Sequence, residues 1–188
     1  MGNEQEIIAK NAKKKQEKFT AYYDKFSRCY DILSPRSYYH KARSRAIDEL
    51  RLKAGETVLN VPAGTGQNIP YLQNYLDYTG NIIAADISTG MLEKLHGKIQ
   101  KHKWHNVHVM NVDVLDLTHD YLSPILTDKN ILNVDAVLCD LGLSGFPKWE
   151  RVMDQLLGIL KPGGRIAIMD WYFEKPCWRG ELIKWIGK

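Results

Sequence analysis

Thr57-Val58-Leu59-Asn60-Val61-Pro62-Ala63-Gly64-Thr65-Gly66-Gln67-Asn68 reads as an apolar strand, a glycine turn and the start of a helix. The next apolar run ends on Asp86, twenty residues beyond Gly66. Glycine lets backbone approach a ligand closely, a helix start presents free N–H groups, and an acid closing the second strand can accept both hydroxyls of a ribose. The stretch therefore predicts a cradle for a nucleoside-bearing cofactor. Phosphate-bearing ligands fit it poorly. A dinucleotide fingerprint needs a third glycine where this chain has Ile69, and the Gly-Lys-Ser/Thr of a phosphate loop occurs nowhere in the sequence.

Working outward, apolar runs rich in Val, Ile and Leu predict strands near 57–61, 81–85, 107–112, 134–139 and 165–171, each suited to burial on both faces. Helical spacing fills the gaps. Ser88 caps a helix with Met91, Leu92, Leu95 and Ile99 on one side; Val152, Met153, Leu156, Leu157 and Leu160 mark another, stopped by Lys161-Pro162-Gly163-Gly164. Strands alternating with helices predict an α/β fold with a parallel, doubly wound sheet. Ahead of it, residues 4–33 and roughly 37–52 show helical spacing, broken at Ser34-Pro35. The division expected is an N-terminal helical segment over 1–53 and a core over 54–188.

These residues resemble the class I S-adenosylmethionine-dependent methyltransferases, whose first motif is an acidic-x-Gly-x-Gly-x-Gly turn. Asn60 stands where that family has an acid and Pro62 where it has the first glycine. The resemblance implies a Rossmann-like sheet in the order 3-2-1-4-5 and S-adenosyl-L-methionine as cofactor, with S-adenosyl-L-homocysteine as product. Asn60, Pro62, Ala63, Gly64 and Gly66 would form the turn. Ala85-Asp86-Ile87-Ser88 resembles the second motif, giving Asp86 the ribose and placing Ile87 and Met91 beside it. Asn111-Val112-Asp113-Val114 resembles the third, giving Asp113 and Val114 the adenine. Asp135-Ala136-Val137-Leu138-Cys139-Asp140-Leu141 resembles the fourth, with Asp140 facing the reaction crevice. The family adds closing antiparallel strands 6 and 7, for which too few residues follow Trp171. A shortened chain with an uncovered strand-five edge is therefore expected, prone to homo-oligomerise through it.

Tyr22-Tyr23-Asp24 and Tyr30-Asp31-Ile32-Leu33 resemble the front of the ubiquinone and menaquinone C-methyltransferases and of bacterial phospholipid N-methyltransferases. There the segment lids the cofactor, and Tyr23 and Tyr30 would face its sulfonium. The acceptor implied is a quinone-precursor ring or a phospholipid amine. Methyl transfer needs alignment more than catalytic groups; where a proton must leave, Asp140 and His40 are the candidate bases. A non-catalytic cofactor-binding module is the alternative.

Charge and cysteine content set the remaining bounds. Residues 1–53 carry 13 Lys/Arg against 7 Asp/Glu, and the remainder 13 against 15. The basic leader fits either a solvated helix face or an approach to anionic lipid head groups, with RNA ranked last, and no Asn/Asp-Pro-Pro-aromatic run supports DNA as substrate. With no secretory leader and no long apolar run, a cytoplasmic, at most peripherally membrane-associated protein is expected. Cys29, Cys139 and Cys177 lack metal spacing, and His102, His105 and His108 leave a helix and enter a strand, so no metal site is expected.

Overall fold

Five parallel strands in the order β3-β2-β1-β4-β5 make up the sheet: β1 (Thr57–Asn60), β2 (Asn81–Asp86), β3 (Val107–Asn111), β4 (Val134–Asp140) and β5 (Leu160–Met169). The computed structural model describes residues 17–18, 20–32, 37–118, 122, 133–146 and 149–171. The helical spacing expected over 4–16, the Ser34-Pro35 break, and the tail containing Cys177, Trp178, Leu182 and Ile186 lie outside these residues. The helices are α1 (20–32), α2 (His40–Glu49), α3 (Ile69–Leu76), α4 (Thr89–His102) and α5 (Trp149–Gly158).

Alternate strand residues serve opposite faces, as a period of two requires. Val58, Ile82, Ala84 and Leu138 join Ile47 and Leu50 from the α2 region, Ile69 and Leu72 of α3, and Leu92 and Leu95 of α4. Leu59, Ile83, Ala85 and Val137 meet Val152 and Leu156 of α5 on the other face. Each fully buried Leu or Ile contributes roughly 1.5–3 kcal/mol of transfer free energy. Ser88 caps α4 as expected, its side chain accepting from Met91 N–H. In α5 the buried stripe is Val152 and Leu156, while Leu157 turns outward at 53% exposure.

The start of β5 differs from expectation. The strand begins at Leu160, paired with Val134, and the Lys161-Pro162-Gly163-Gly164 turn becomes an irregularity inside it before Arg165 pairs with Ala136. Asn133 Nδ2 donates to Leu160 O at 2.8 Å and Val134 N–H to Ile159 O at 2.9 Å, which hold the first rung ahead of the turn. Arg165 then ties β5 to the α2 end, donating to Leu50 O at 2.8 Å and pairing with Glu56. Beyond β4, β5 has no further strand neighbour among the described residues.

Candidate active site

The strand order reverses between β1 and β4, and the carboxyl ends of β1, β2 and β4 converge there, where open α/β sheets bind ligands. The turn after β1 is pinned on both sides. Val61 N–H donates to Leu138 O at 3.0 Å, and Ala63 N–H donates to Ala85 O at 2.8 Å. The Val61–Pro62 peptide is cis, and Pro62 packs so tightly on Gly142, after β4, that a Cβ there would collide with its ring. Gly64 and Gly66 take φ of +53° and +79°, the region that disfavours side chains. Their surroundings differ. A Cβ on Gly66 would strike Leu95, whereas one on Gly64 would meet nothing within 4 Å among the described residues.

Asp86 closes β2 directly beside this turn. Its Oδ2 accepts from Gly64 N–H at 2.7 Å and its Oδ1 from Ser88 N–H at 2.8 Å. Burial pushes the carboxyl up from its ordinary range, opposed by the N–H groups of Ser88, Gly64 and Ile87. A carboxylate offers about four acceptor sites, so these N–H groups leave room for a further donor. The adjoining cleft, of about 490 Å³, is lined by Ile87, Asp113 and Asp116 on the core side and by Glu17, Thr20, Ala21 and Asp24 on the leader. Asp113 also accepts from Leu115 N–H at 3.0 Å. Val114 and Met91 are buried at 3% and 2% exposure, and so support the walls from behind.

The leader helix is fastened over this region by two aspartates seven residues apart. Asp24 accepts from Ser88 Oγ at 2.6 Å and Gly90 N–H at 3.0 Å, at the start of α4. Asp31 accepts from Thr65 Oγ1 at 2.6 Å and Gln67 Nε2 at 3.2 Å, and pairs with Lys98 at 2.7 Å. Burial works against the Asp31 charge, but Lys98, Thr65 and Gln67 outweigh it and hold the carboxyl below its usual range. Between the aspartates, Tyr23 and Tyr30 each meet Phe26 edge-on, with centroids 6.5 and 5.6 Å away. Burial first, then Tyr30, Tyr22, Asp86 and Asp170, push the Tyr23 hydroxyl up to about 12. Tyr23 is therefore a neutral group at physiological pH.

Asp140, at the end of β4, is paired with Arg43 of α2 at 2.9 Å, both side chains being almost fully buried. Arg43 Nη1 also donates to Gln67 Oε1 at 3.4 Å. Asn60, wholly buried at the end of β1, accepts from Asn68 Nδ2 at 3.0 Å. Burial raises the Asp140 carboxyl; Arg43 and Asn68 oppose it. The neighbouring Cys139 thiol, pushed up to about 12 by burial and then by Asp170 and Asp140, is no nucleophile.

His40 stands apart from Asp86, in a separate cleft lined by Ser37, Pro70, Tyr71 and Asn74, with Nδ1 2.8 Å from the Tyr71 hydroxyl. His102 stacks on Trp104 and His108 bonds Asn81, so these rings go to separate partners. Sequence reasoning gave no part to Arg43, Gln67 or Asn68, and none to the carboxylates of Asp24 and Asp31. For Arg43 a signal existed: it lies one turn before Ile47 on the apolar stripe of α2.

Comparison with known proteins agrees with this architecture. The family described as "Methyltransferase domain" matches residues 59–166. A demethylmenaquinone methyltransferase of Staphylococcus saprophyticus is 28% identical over 167 residues, covering 87% of this chain and 66% of that protein. A ubiquinone/menaquinone biosynthesis C-methyltransferase of Citrobacter koseri is 28% identical over 151 residues, covering 78% and 55%. The chain thus spans between about half and two thirds of the length of these relatives. Among solved structures, a SAM-dependent methyltransferase from Aquifex aeolicus superposes with a TM-score of 0.58 at 22% identity, over 77% of this chain and 78% of that one. The putative methyltransferase in complex with the Haloferax volcanii Trm112 activator gives 0.63 at 18% identity, over 81% and 62%. These two likenesses concern the fold. The family match spans more than half of the chain and falls on the strands that carry the turn, Asp86 and Asp140: the chain belongs to the methyltransferase domain family.

Proposed function

We propose that the chain is a methyltransferase that uses S-adenosylmethionine to methylate a small-molecule acceptor of the quinone-precursor type. The observation that carries the cofactor assignment is the Asp86–Gly64 pairing. A buried carboxylate with room for a further donor lies against a positive-φ glycine whose Cβ position is open. That combination fits a nucleoside: the carboxylate suits vicinal hydroxyls, and the bare glycine admits the ligand at backbone distance. The Asp113 and Ile87 cleft fits its base. The names of the relatives, which act on demethylmenaquinone or in quinone biosynthesis, support the acceptor class.

When bound, S-adenosylmethionine supplies an electrophilic methyl group. The chain's own part is alignment and exclusion of water. Asp24 and Asp31 fasten α1 across the cleft, so that leader and glycine turn together enclose the ligand. Tyr23 and Tyr30 present aromatic surface suited to a sulfonium. The basic leader supports delivery of a lipid-borne acceptor from an anionic membrane surface. Among the described residues no helix is long and apolar enough to cross a membrane.

The test is methyl transfer from labelled S-adenosylmethionine to a demethylmenaquinone analogue, with a phospholipid amine in parallel. A labelled quinone product supports the reading. Label in the phospholipid alone overturns the acceptor class, and no label in either overturns the activity.

A further inference from the structure

The Arg43–Asp140 pair joins the N-terminal segment to the end of the strand nearest the chemistry, and nothing in the methyl-transfer scheme above uses it. α2 packs across β4 and β5, yet it spends a position on its buried stripe on an arginine that is 3% exposed. That arginine reaches Asp140 Oδ2 with Nε and Gln67, in the segment after the glycine turn, with Nη1. It thereby spans the two loops of the crevice. Asp140 Oδ1 is buried with no hydrogen-bond partner of good geometry among the described residues, although the Asn68 amide lies beside it. Asn68 Oδ1 and Asn60 Nδ2 are likewise buried and unpartnered. Two acceptors and one donor thus stand unmatched at the ends of β1 and β4. Unmatched buried polar atoms are costly, and where they cluster at a crevice a ligand group is the natural partner.

We propose that Arg43 is a positioning residue: it clamps Asp140 by one oxygen, leaves the other for a hydrogen-bond-donating or cationic group of the bound ligand, and so makes ligand binding depend on docking of α2. The proposal rests on the methyl-donor reading of the site. The geometry explains why the residue is arginine. Its rigid fork serves Asp140 and Gln67 at once, which a lysine ammonium cannot do in the same orientation. Among the described residues, the charged and titratable groups around Asp140 are Arg43 from α2, Asp170 after β5, Tyr39 before α2, and Cys139 on its own strand. Only Arg43 is a cation among them, so its removal leaves a buried carboxyl that takes up a proton more readily. A neutral carboxyl binds the ligand's donor less well than a carboxylate, so affinity in an Arg43 variant should rise with pH.

The experiment is calorimetric titration of the whole chain with S-adenosylhomocysteine from pH 5.5 to 8.5, for wild type, Arg43→Met, Arg43→Lys and Arg43→Met/Asp140→Asn. Urea unfolding of each ligand-free protein across the same range gives a second readout. We expect Arg43→Met to move the midpoint of the binding profile upward by at least one pH unit, a tenfold change in proton affinity. We expect Arg43→Lys to restore most of that midpoint while binding more weakly than wild type, and the double variant to lose the pH dependence. An Arg43→Met profile lowered uniformly, with an unmoved midpoint, would overturn the positioning role and leave a structural one. Should Arg43→Met not fold, Arg43→Lys and a single Asp140→Asn variant decide: wild-type affinity for S-adenosylhomocysteine in Asp140→Asn at pH 8.5 overturns the proposal. Absence of ligand binding by wild type overturns the donor reading itself, a result distinguishable from the others.

Discussion

Replacing each of the two turn glycines by alanine should separate what the turn does for stability from what it does for binding. Both glycines have positive φ, so each alanine costs roughly 1–2 kcal/mol of backbone strain. At Gly66 the new methyl also strikes Leu95, a fully buried core residue, and lies 3.3 Å from Ile69 Cγ1. Overpacking of that kind adds roughly 1–3 kcal/mol, so Gly66→Ala should lose about 2–5 kcal/mol in all. In a chain of this size that lowers Tm by roughly 4–20 °C. At Gly64 the methyl meets nothing within 4 Å among the described residues, and the loss stays near the strain alone. The same methyl, however, occupies space from which a ligand would be admitted. Gly64→Ala should therefore fold well yet bind S-adenosylhomocysteine at least tenfold more weakly, whereas folded Gly66→Ala should be limited chiefly by stability. Urea unfolding and calorimetry on the same preparations read both quantities. Wild-type affinity in Gly64→Ala would refute the assignment of that space to the ligand, and wild-type stability in Gly66→Ala would refute the packing argument.

Other consequences follow from the same geometry. Asp86→Asn keeps the shape but loses charge-assisted hydrogen bonds worth roughly 1.5–3 kcal/mol, so affinity for S-adenosylhomocysteine should fall by about 10- to 200-fold in calorimetry. Gly90→Ala would drive a methyl against the Asp24 backbone, 2.8 Å from its carbonyl oxygen, and should loosen α1; faster amide hydrogen exchange over 20–32 reads this. Asp31 has its carboxyl lowered from 3.8, so the stability it gives the leader is present above that value and is lost as pH falls through the lowered one. Exchange of the α1 amides should accelerate across that acid window in wild type, whereas Asp31→Asn should already exchange faster at neutral pH and show no such step. Co-sedimentation with anionic vesicles should fall on raising salt; sedimentation unchanged by salt would remove the electrostatic account of the leader.

The sheet was legible because strands buried on both faces write themselves as continuous apolar runs, and because Ser88 and the Met91-Leu92-Leu95 stripe mark α4 without ambiguity. The beginning of β5 was not. Lys161-Pro162-Gly163-Gly164 carries every mark of a turn, and only the pairing of Leu160 with Val134 reveals that the ladder starts before it. The turn and Asp86 could be placed from spacing, since each sits at a strand end, whereas Asp113 was placed by the family resemblance; the structure sets Asp86 beside the turn and Asp113 in the adjoining cleft. Arg43 showed only its place on the stripe before Ile47; its partner lies 97 residues away, and beside Lys41 and Arg45 it looks like one more cation of a solvated face. The same holds for Asp24 and Asp31, whose partners on Gly90 and Thr65 are fixed only by how α1 lies across the core. His40, a candidate base by sequence, has Nδ1 2.8 Å from the Tyr71 hydroxyl, in a cleft shared with Ser37, Pro70 and Asn74.

The most direct trial of the account is a calorimetric titration of the purified chain with S-adenosylmethionine, repeated on Asp86→Ala. A saturable isotherm with one site per chain, abolished by that substitution, is the result expected. No heat of binding in wild type, or an isotherm unchanged when Asp86 is removed, would contradict the claim that the glycine turn and the acid beside it hold the methyl donor.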